Sequence, residues 1–315
     1  MAYDAPGAID QEQHERCVII TPSYCSDHDL AASLCASIDE FFKFEYEHIL
    51  VVPKRDLRFF QHLSGPHRRV ITKESVLKPY GFHFLPFPRK IAIPGIFSRR
   101  FKEQWFHRKA GRISGWSVQQ IVKLAANQIC NTEIIVFIDS DVEFIRNVHF
   151  SNFVENGLTR LHEHSAGATL PSHQHWRKVA RDLIGVDANL DSGMNYIGHM
   201  IAWRRETLAQ LQRRIEAVNH RSWWIKLAQV KNFSEYILYG AFVQSGEGKD
   251  AHSLGDLALI HSLWISGDDD VVKFMDGISN NHIALHIQST LPMSTANRHE
   301  KIRKLKNFAT KSGRE

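Results

Sequence analysis

Hydrophobic and polar positions follow two rhythms along this chain. Cys17 to Tyr24 (CVIITPSY) is a nearly unbroken apolar run bounded by polar residues, the pattern of a strand buried on both faces. Asp27 then stands as an N-cap, and Leu30, Leu34, Ile38 and Phe41 return at helical spacing, which predicts a helix. HILVVP (48–53) predicts a second strand and Arg69 to Thr72 a short third. Strand, helix and strand at these lengths predict a right-handed βαβ unit and a parallel sheet.

Residues 79–112 break both rhythms. They are rich in proline and aromatics, and FSRRFKEQWFHRKAGR (97–112) sets cations among Phe and Trp; the expectation is a long functional loop leaving the sheet. GWSVQQIVKLAANQI (115–129), apolar at Val118, Ile121, Val122 and Ala125, predicts a helix feeding IIVFI (134–138), a second fully apolar strand. Further on, AGATLPS (166–172) and NYIGHMIAWRRETL (195–208) read as strands, TLAQLQRRIEAVN (207–219) and SEYILYGAFVQ (234–244) as helices. HIALHIQ (282–288) is the last ordered strand, and NRHEKIRKLKNFATKSGRE a basic surface helix and frayed tail. With no internal repeat or low-complexity linker, the expected division is a tail (1–16), two halves of one domain (17–150 and 151–296) and a basic tail (297–315).

Composition narrows the class. The 315 residues are 43% hydrophobic and 23% charged, as in a soluble globular protein with an ample core. No apolar run approaches the roughly 18 residues of a membrane span, and Met1 to Arg16 carries no signal-peptide pattern. Cys17, Cys25, Cys35 and Cys130 lack metal-like spacing, which favours reduced cysteines and a cytoplasmic compartment. The excess of 39 Lys and Arg over 34 Asp and Glu points to an acidic small molecule or a membrane surface before nucleic acid.

The candidate chemistry lies where IIVFI ends. Asp139 and Asp141 follow the strand directly, and in open parallel sheets ligands bind beyond the carboxyl ends of the strands. Carboxylates spaced i, i+2 share one side of an extended chain about 7 Å apart and repel unless a cation lies between them. Magnesium or manganese fills that place while also holding phosphate oxygens.

IIVFIDSDVEFIRNV resembles the D-x-D motif of GT-A-type glycosyltransferases, and GWSVQQIVKL resembles a segment of a bacterial group within that fold. The likeness spans about residues 17–290. It implies an α/β, GT-A-like, Rossmann-type and mostly parallel sheet flanked by helices, with a C-terminal acceptor-side elaboration. Residues 17–150 would bind the nucleotide sugar and 151–296 the acceptor. Asp139 and Asp141 would hold Mn²⁺ or Mg²⁺, with His286 completing the shell and His282 in reserve. Thr21, Pro22, Ser23, Tyr24, Gln119, Gln120, Lys123, Asp139 and Ser140 would contact the nucleoside-diphosphate sugar; a turn aromatic at Tyr24 and a plain polar helix face remain the alternatives. Glu235, then Asp191 beside Gly193, are the candidate bases for an inverting transfer, against a first-turn glutamate and an ordinary turn. The acceptor would be a glycan or lipid-linked glycan of a bacterial surface polysaccharide.

The basic stretches Arg99, Arg100, Lys102, Arg108, Lys109, Arg112 and Lys301, Arg303, Lys304, Lys306 suggest peripheral contact with the inner membrane face, a grip on diphosphate by the first, or a solvated surface. The rival enzyme reading is a haloacid-dehalogenase-like phosphatase with Asp139 as nucleophile, Asp141 as acid/base and Asp268 or Asp269 on the metal. A nucleotidyltransferase lacks its glycine-rich run here, and an RNA-binding module is the non-catalytic alternative.

Overall fold

The structure, a computed structural model, describes residues 15–88, 90–93, 97–100, 102–230, 232–255, 257–263, 277–291, 297, 300, 302 and 303. In chain order, β1 (Arg16–Pro22), α1 (His28–Phe41), β2 (Glu45–Val52), α2 (Leu57–Phe60), β3 (Arg68–Thr72) and α3 (Lys73–Leu77) form the first part. Five short strands follow: β4 (Phe82–Leu85), β5 (Lys90–Ile93), β6 (Phe97–Arg100), β7 (Gln104–His107) and β8 (Gly111–Ser114). Then come α4 (Gly115–Leu124), β9 (Ile134–Ile138), β10 (Val142–Phe144), β11 (Val154–Glu155), β12 (Leu158–Leu161) and α5 (Pro171–Ile184). The rest is β13 (Met200–Arg204), α6 (Arg205–Asn219), α7 (Trp223–Gln229), α8 (Glu235–Gln244), β14 (His252–Leu254), β15 (Ile260–Leu263) and β16 (Ala284–Ile287).

The central sheet has the order β13-β9-β1-β2-β3, parallel throughout except for β13, which runs against β9. This is an α/β fold with helices on both faces, and the layering explains the apolar runs. Val18, Ile20, Ile135 and Phe137 face a core shared with α4, α5, α6 and α8. Cys17, Ile19, Ile134, Val136 and Ile138 face Leu34 and Ile38 of α1 and Phe144 of β10. A strand covered on both sides has no solvent face to alternate toward, so β1 and β9 read as continuous hydrophobic segments. Cys17, Cys35 and Cys130 are buried among these side chains.

Four expectations change in the structure. Of NYIGHMIAWRRETL only Met200–Arg204 is strand, and α6 begins at Arg205. AGATLPS is no strand: residues 166–170 turn, and Pro171 opens α5 at its first position, where its fixed φ and missing N–H cost nothing. Trp176, Val179, Ala180 and Leu183 then return at helical spacing against the core. Residues 79–112 are largely built of strands, with β4, β7 and β8 in one antiparallel sheet and β5 and β6 in a hairpin. The helix starting at Gly115 stops at Leu124, and a single 3₁₀ turn (Ala126–Gln128) precedes the approach to β9. Asp27 does occupy the N-cap of α1, but its side chain makes no capping hydrogen bond there.

Lys301, Lys304, Lys306, Asp268 and Asp269 lie outside the described residues. Among the described residues no helix is long and apolar enough to cross a membrane.

Candidate functional site

At the carboxyl ends of β1 and β9 the chain opens a cleft of about 400 Å³. Pro22, Ser23 and Tyr24 form one edge, Asp139, Ser140 and Asp141 the floor, and Gln119, Gln120 and Lys123 of α4 the opposite wall. Glu235 and Tyr236 of α8, His199 and His286 complete it. The sheet register makes this convergence. Met200 pairs with Ile138, so His199 falls opposite Asp139, and Val142 pairs with His286, so that histidine lies beside Asp141.

Asp141, His199 and His286 offer ligand atoms that all lie within 4.8 Å of one another. Asp141 Oδ2 stands 3.5 Å from His286 Nε2 and accepts the Ser289 backbone N–H at 2.8 Å. The two imidazoles stack, centroids 3.5 Å apart and planes within 11°. Burial raises the Asp141 pKa, but His286, the Ser289 N–H and His199 together outweigh it and bring it down to about 2. Burial lowers the pKa of His286, its neighbour His199 lowers it further, and Asp141 opposes both.

Asp139 stands one step behind this group. His199 Nδ1 is 3.0 Å from Asp139 Oδ2. A carboxylate is only an acceptor, so the hydrogen belongs on Nδ1 and the lone pair on Nε2. This is the carboxylate–histidine arrangement that orients a metal-ligating imidazole. A set of one carboxylate and two imidazoles suits a borderline dication such as Mn²⁺ or Zn²⁺. Among the described residues lining the cleft, the carboxylates of Asp27, Asp139, Asp141 and Glu235 face a single ammonium, that of Lys123, a field that favours a cation.

Lys123 is 4% exposed and lies 3.0 Å from Glu235 Oε1 and 3.9 Å from Asp139 Oδ1. It donates to the Tyr236 hydroxyl at 2.7 Å and sits 4.2 Å from that ring's centroid. Burial pulls its pKa down, but the carboxylates of Glu235 and Asp139 and the hydrogen bond to the Tyr236 hydroxyl outweigh that, so the ammonium is held. Gln120 Oε1 accepts the Glu235 backbone N–H at 3.0 Å, and Ser234 Oγ caps the same first turn of α8 through the Ile237 N–H. Glu235 is thus fixed at the start of a helix and 5% exposed.

A family model described as "Family of unknown function (DUF6492)" matches residues 18–310. The chain belongs to this family. No curated protein matches the DUF6492 chain. Among solved structures it is similar to mouse xyloside xylosyltransferase 1 in its apo form, with 11% identity and a TM-score of 0.46, covering 89% of this chain and 100% of that one. It is also similar to the galactosyltransferase LgtC in complex with donor and acceptor sugar analogs, with 11% identity and a TM-score of 0.45, covering 93% and 95%.

Of the residues singled out in the DUF6492 sequence, Pro22, Ser23, Tyr24, Gln119, Gln120, Lys123, Asp139, Ser140, Asp141, Glu235 and His286 line the cleft together. Two others are placed elsewhere. Thr21 is fully buried, and its hydroxyl meets His48 Nε2 at 3.0 Å within the sheet. Asp191 pairs with Arg177 Nε at 3.2 Å and with Arg181, so α5 neutralises it. His282, the reserve ligand, takes the Ser279 backbone N–H on its Nδ1 and lies outside the cleft lining. His199 was missed, because a histidine ahead of an antiparallel edge strand has no marker of its own. The signal is its spacing: counting back along β13 from its pairing with β9 puts residue 199 against 139. The phosphatase reading finds no support: Asp139, its nucleophile, is engaged by His199 and Lys123.

Proposed function

We propose that this chain is a metal-dependent glycosyltransferase that moves a sugar from a nucleoside-diphosphate sugar to a glycan or lipid-linked glycan, in bacterial surface polysaccharide synthesis at the cytoplasmic face of the membrane. The observation that carries this reading is the Asp141–His199–His286 group, with Asp139 behind His199, at the carboxyl end of β9. Sheet ends of this kind are where α/β folds take nucleotide ligands.

In this reading Asp141, His199 and His286 would hold the dication, Mn²⁺ rather than Mg²⁺ given two imidazole ligands, and residues 17–150 contribute most of the nucleotide-sugar side. When bound, such an ion supplies neutralisation of the charge that develops on the departing diphosphate. Asp139 fixes the tautomer and direction of His199. Tyr24, 43% exposed beside the cleft, bounds the nucleobase. Gln119 and Ser140 meet the ribose and diphosphate. Glu235 is the carboxylate of the α8 wall and takes the proton of the acceptor hydroxyl in an inverting transfer. Lys123 orients that carboxylate and balances its charge, which links the base to the Asp139 side of the site.

Thermal unfolding with a panel of nucleoside diphosphates and their sugars, with and without Mn²⁺, tests this. A stabilising shift that needs both nucleotide and Mn²⁺, and is lost in Asp141→Ala, is expected. A nucleotide shift indifferent to metal and to that substitution overturns the reading.

A further inference from the structure

A pair of tryptophans stands beside the cleft. Trp116, in the first turn of α4, and Trp176, on α5, both line the cleft rim. Their rings stack in an offset, 6.1 Å between centroids and 27° between planes. His173 also stacks with Trp176, at 5.1 Å, and Phe233 meets Trp116 edge-on at 6.4 Å. Trp176 Nε1 donates to Asn232 Oδ1 at 2.7 Å, which fixes its indole plane against the loop entering α8. Trp176 is therefore braced by two rings and a hydrogen bond and is half-buried. Trp116 has one face on Trp176 and one edge at Phe233, yet stays 46% exposed. The exposed part of this ring is an aromatic surface at the mouth of the cleft.

Leaving so large an apolar ring in water costs free energy, and the ring is already locked by its neighbours, so a ligand stacking on it loses little in ordering it. The surroundings define the ligand. Gln119 and Ser234 line the same cleft with amide and hydroxyl groups, and Asn232 holds the neighbouring Trp176 indole. A protein interface of this kind would need a larger apolar area. A pyranose ring has the matching form, with axial C–H groups on one face and hydroxyls around its edge.

Position divides this surface from the donor side. Trp116, Gln119 or Gln120, and Lys123 follow one another turn by turn on α4, so Trp116 lies about 10 Å along the helix axis from Lys123. Lys123 in turn contacts both Glu235 and Asp139. Tyr24, the other exposed aromatic lining the cleft, is at the end of β1, beyond Asp141.

Resting on the transferase reading above, we infer that Trp116, braced by Trp176, is a stacking platform for a pyranose ring of the acceptor glycan, placed beyond the reacting hydroxyl so that the chain runs from Trp116 inward past Gln119 to Glu235. The acceptor class is then an oligosaccharide with at least one ring outside the reacting one and with an unobstructed axial C–H face, as in β-linked gluco- or galacto-configured sugars.

Saturation-transfer NMR on the full chain, with methyl β-glycosides and trisaccharides of glucose, galactose, mannose and N-acetylglucosamine as probes, tests this. Wild type should saturate the H1, H3 and H5 face of at least one probe. Trp116→Ala should weaken that binding by about tenfold or more, while Trp116→Phe, which keeps a flat ring, should recover most of it. UDP with Mn²⁺ should bind wild type and Trp116→Ala alike. No saturation of any probe in wild type, or equal sugar binding in Trp116→Ala, overturns the inference. Loss of UDP binding in Trp116→Ala also overturns it, since the stack would then serve the nucleobase. If no nucleoside diphosphate binds wild type while Trp116-dependent sugar binding persists, the transferase reading fails and the carbohydrate platform stands.

Discussion

His199 and Asp139 meet across the β9–β13 pair twice: the Asp139 backbone N–H donates to the His199 carbonyl at 3.1 Å, and His199 Nδ1 lies 3.0 Å from Asp139 Oδ2. The backbone contact fixes the register and the side-chain contact fixes the imidazole. On the function proposed above, Asp139 would therefore act on the metal through His199. Asp139→Asn should lower Mn²⁺ affinity by about 10- to 100-fold, the usual size of a lost orienting carboxylate, and Asp141→Ala should abolish binding within the measured range. Isothermal titration with Mn²⁺ separates the two, and equal effects would place Asp139 in the shell itself.

Lys123 is the cation of a buried cluster. Lys123→Met leaves Glu235 facing an apolar group, and removing one partner of a buried pair costs about 3–5 kcal/mol. The double variant Lys123→Met with Glu235→Gln should recover much of that loss, because no charge is then stranded at α8. Urea unfolding of the two singles and the double closes the cycle.

Burial, and then the Arg68 charge, hold the His48 pKa well below its ordinary value. Its Nδ1 accepts from Arg68 Nε at 2.9 Å, which leaves Nε2 to donate to Thr21. The unfolded chain takes up a proton near pH 6.5, whereas the folded one resists it to lower pH. The stability that neutral His48 provides is complete above about pH 6.5 and declines below it, by up to roughly 1.4 kcal/mol per pH unit until the folded group titrates. In His48→Gln, which keeps a donor and an acceptor, the slope of the urea midpoint between pH 6.5 and 5 should flatten relative to wild type. Parallel slopes would mean that other buried histidines dominate.

Gly240 lies within α8, where alanine ordinarily stabilises a helix by about 1 kcal/mol. Here a Cβ would come within 2.2 Å of the Tyr196 ring, which is buried and tied to Ser192 through its hydroxyl at 2.6 Å. Gly240→Ala should destabilise by about 1–3 kcal/mol through overpacking. Because Tyr196 sits in the segment leading to His199, Mn²⁺ affinity should fall in the same variant. A more stable protein with unchanged metal binding would show that the ring yields freely.

The parts of the fold legible in sequence are those with one strong periodic signal. β1, α1, β2, α4 and β9 each bury an unambiguous face, and Asp139 and Asp141 directly end the most apolar strand. α5 was hidden because its apolar stripe is thin and its turn-rich approach AGATLP imitates a strand end, although Pro171 at the first helical position was a readable start. Asp191 looked available because nothing local shows that Arg177 and Arg181, more than two turns earlier on α5, would claim it. His199 belongs to a different class of difficulty. Its role exists only once β13 has paired with β9, and a pairing between segments some 60 residues apart leaves no trace in either.

The placement of β16 carries a further consequence. Its His286 reaches Asp141 only because β10 and β16 zip together between two distant stretches of sequence. The sheet of β1, β2, β3 and β9 draws on residues 16–138 alone, so during synthesis that scaffold emerges long before its last ligand does. Loops closed over such spans form slowly. A nascent chain of this kind would hold a nearly complete frame before Asp141 and His286 meet, and on the proposed reading a bound ion would then tie the late strand to that frame.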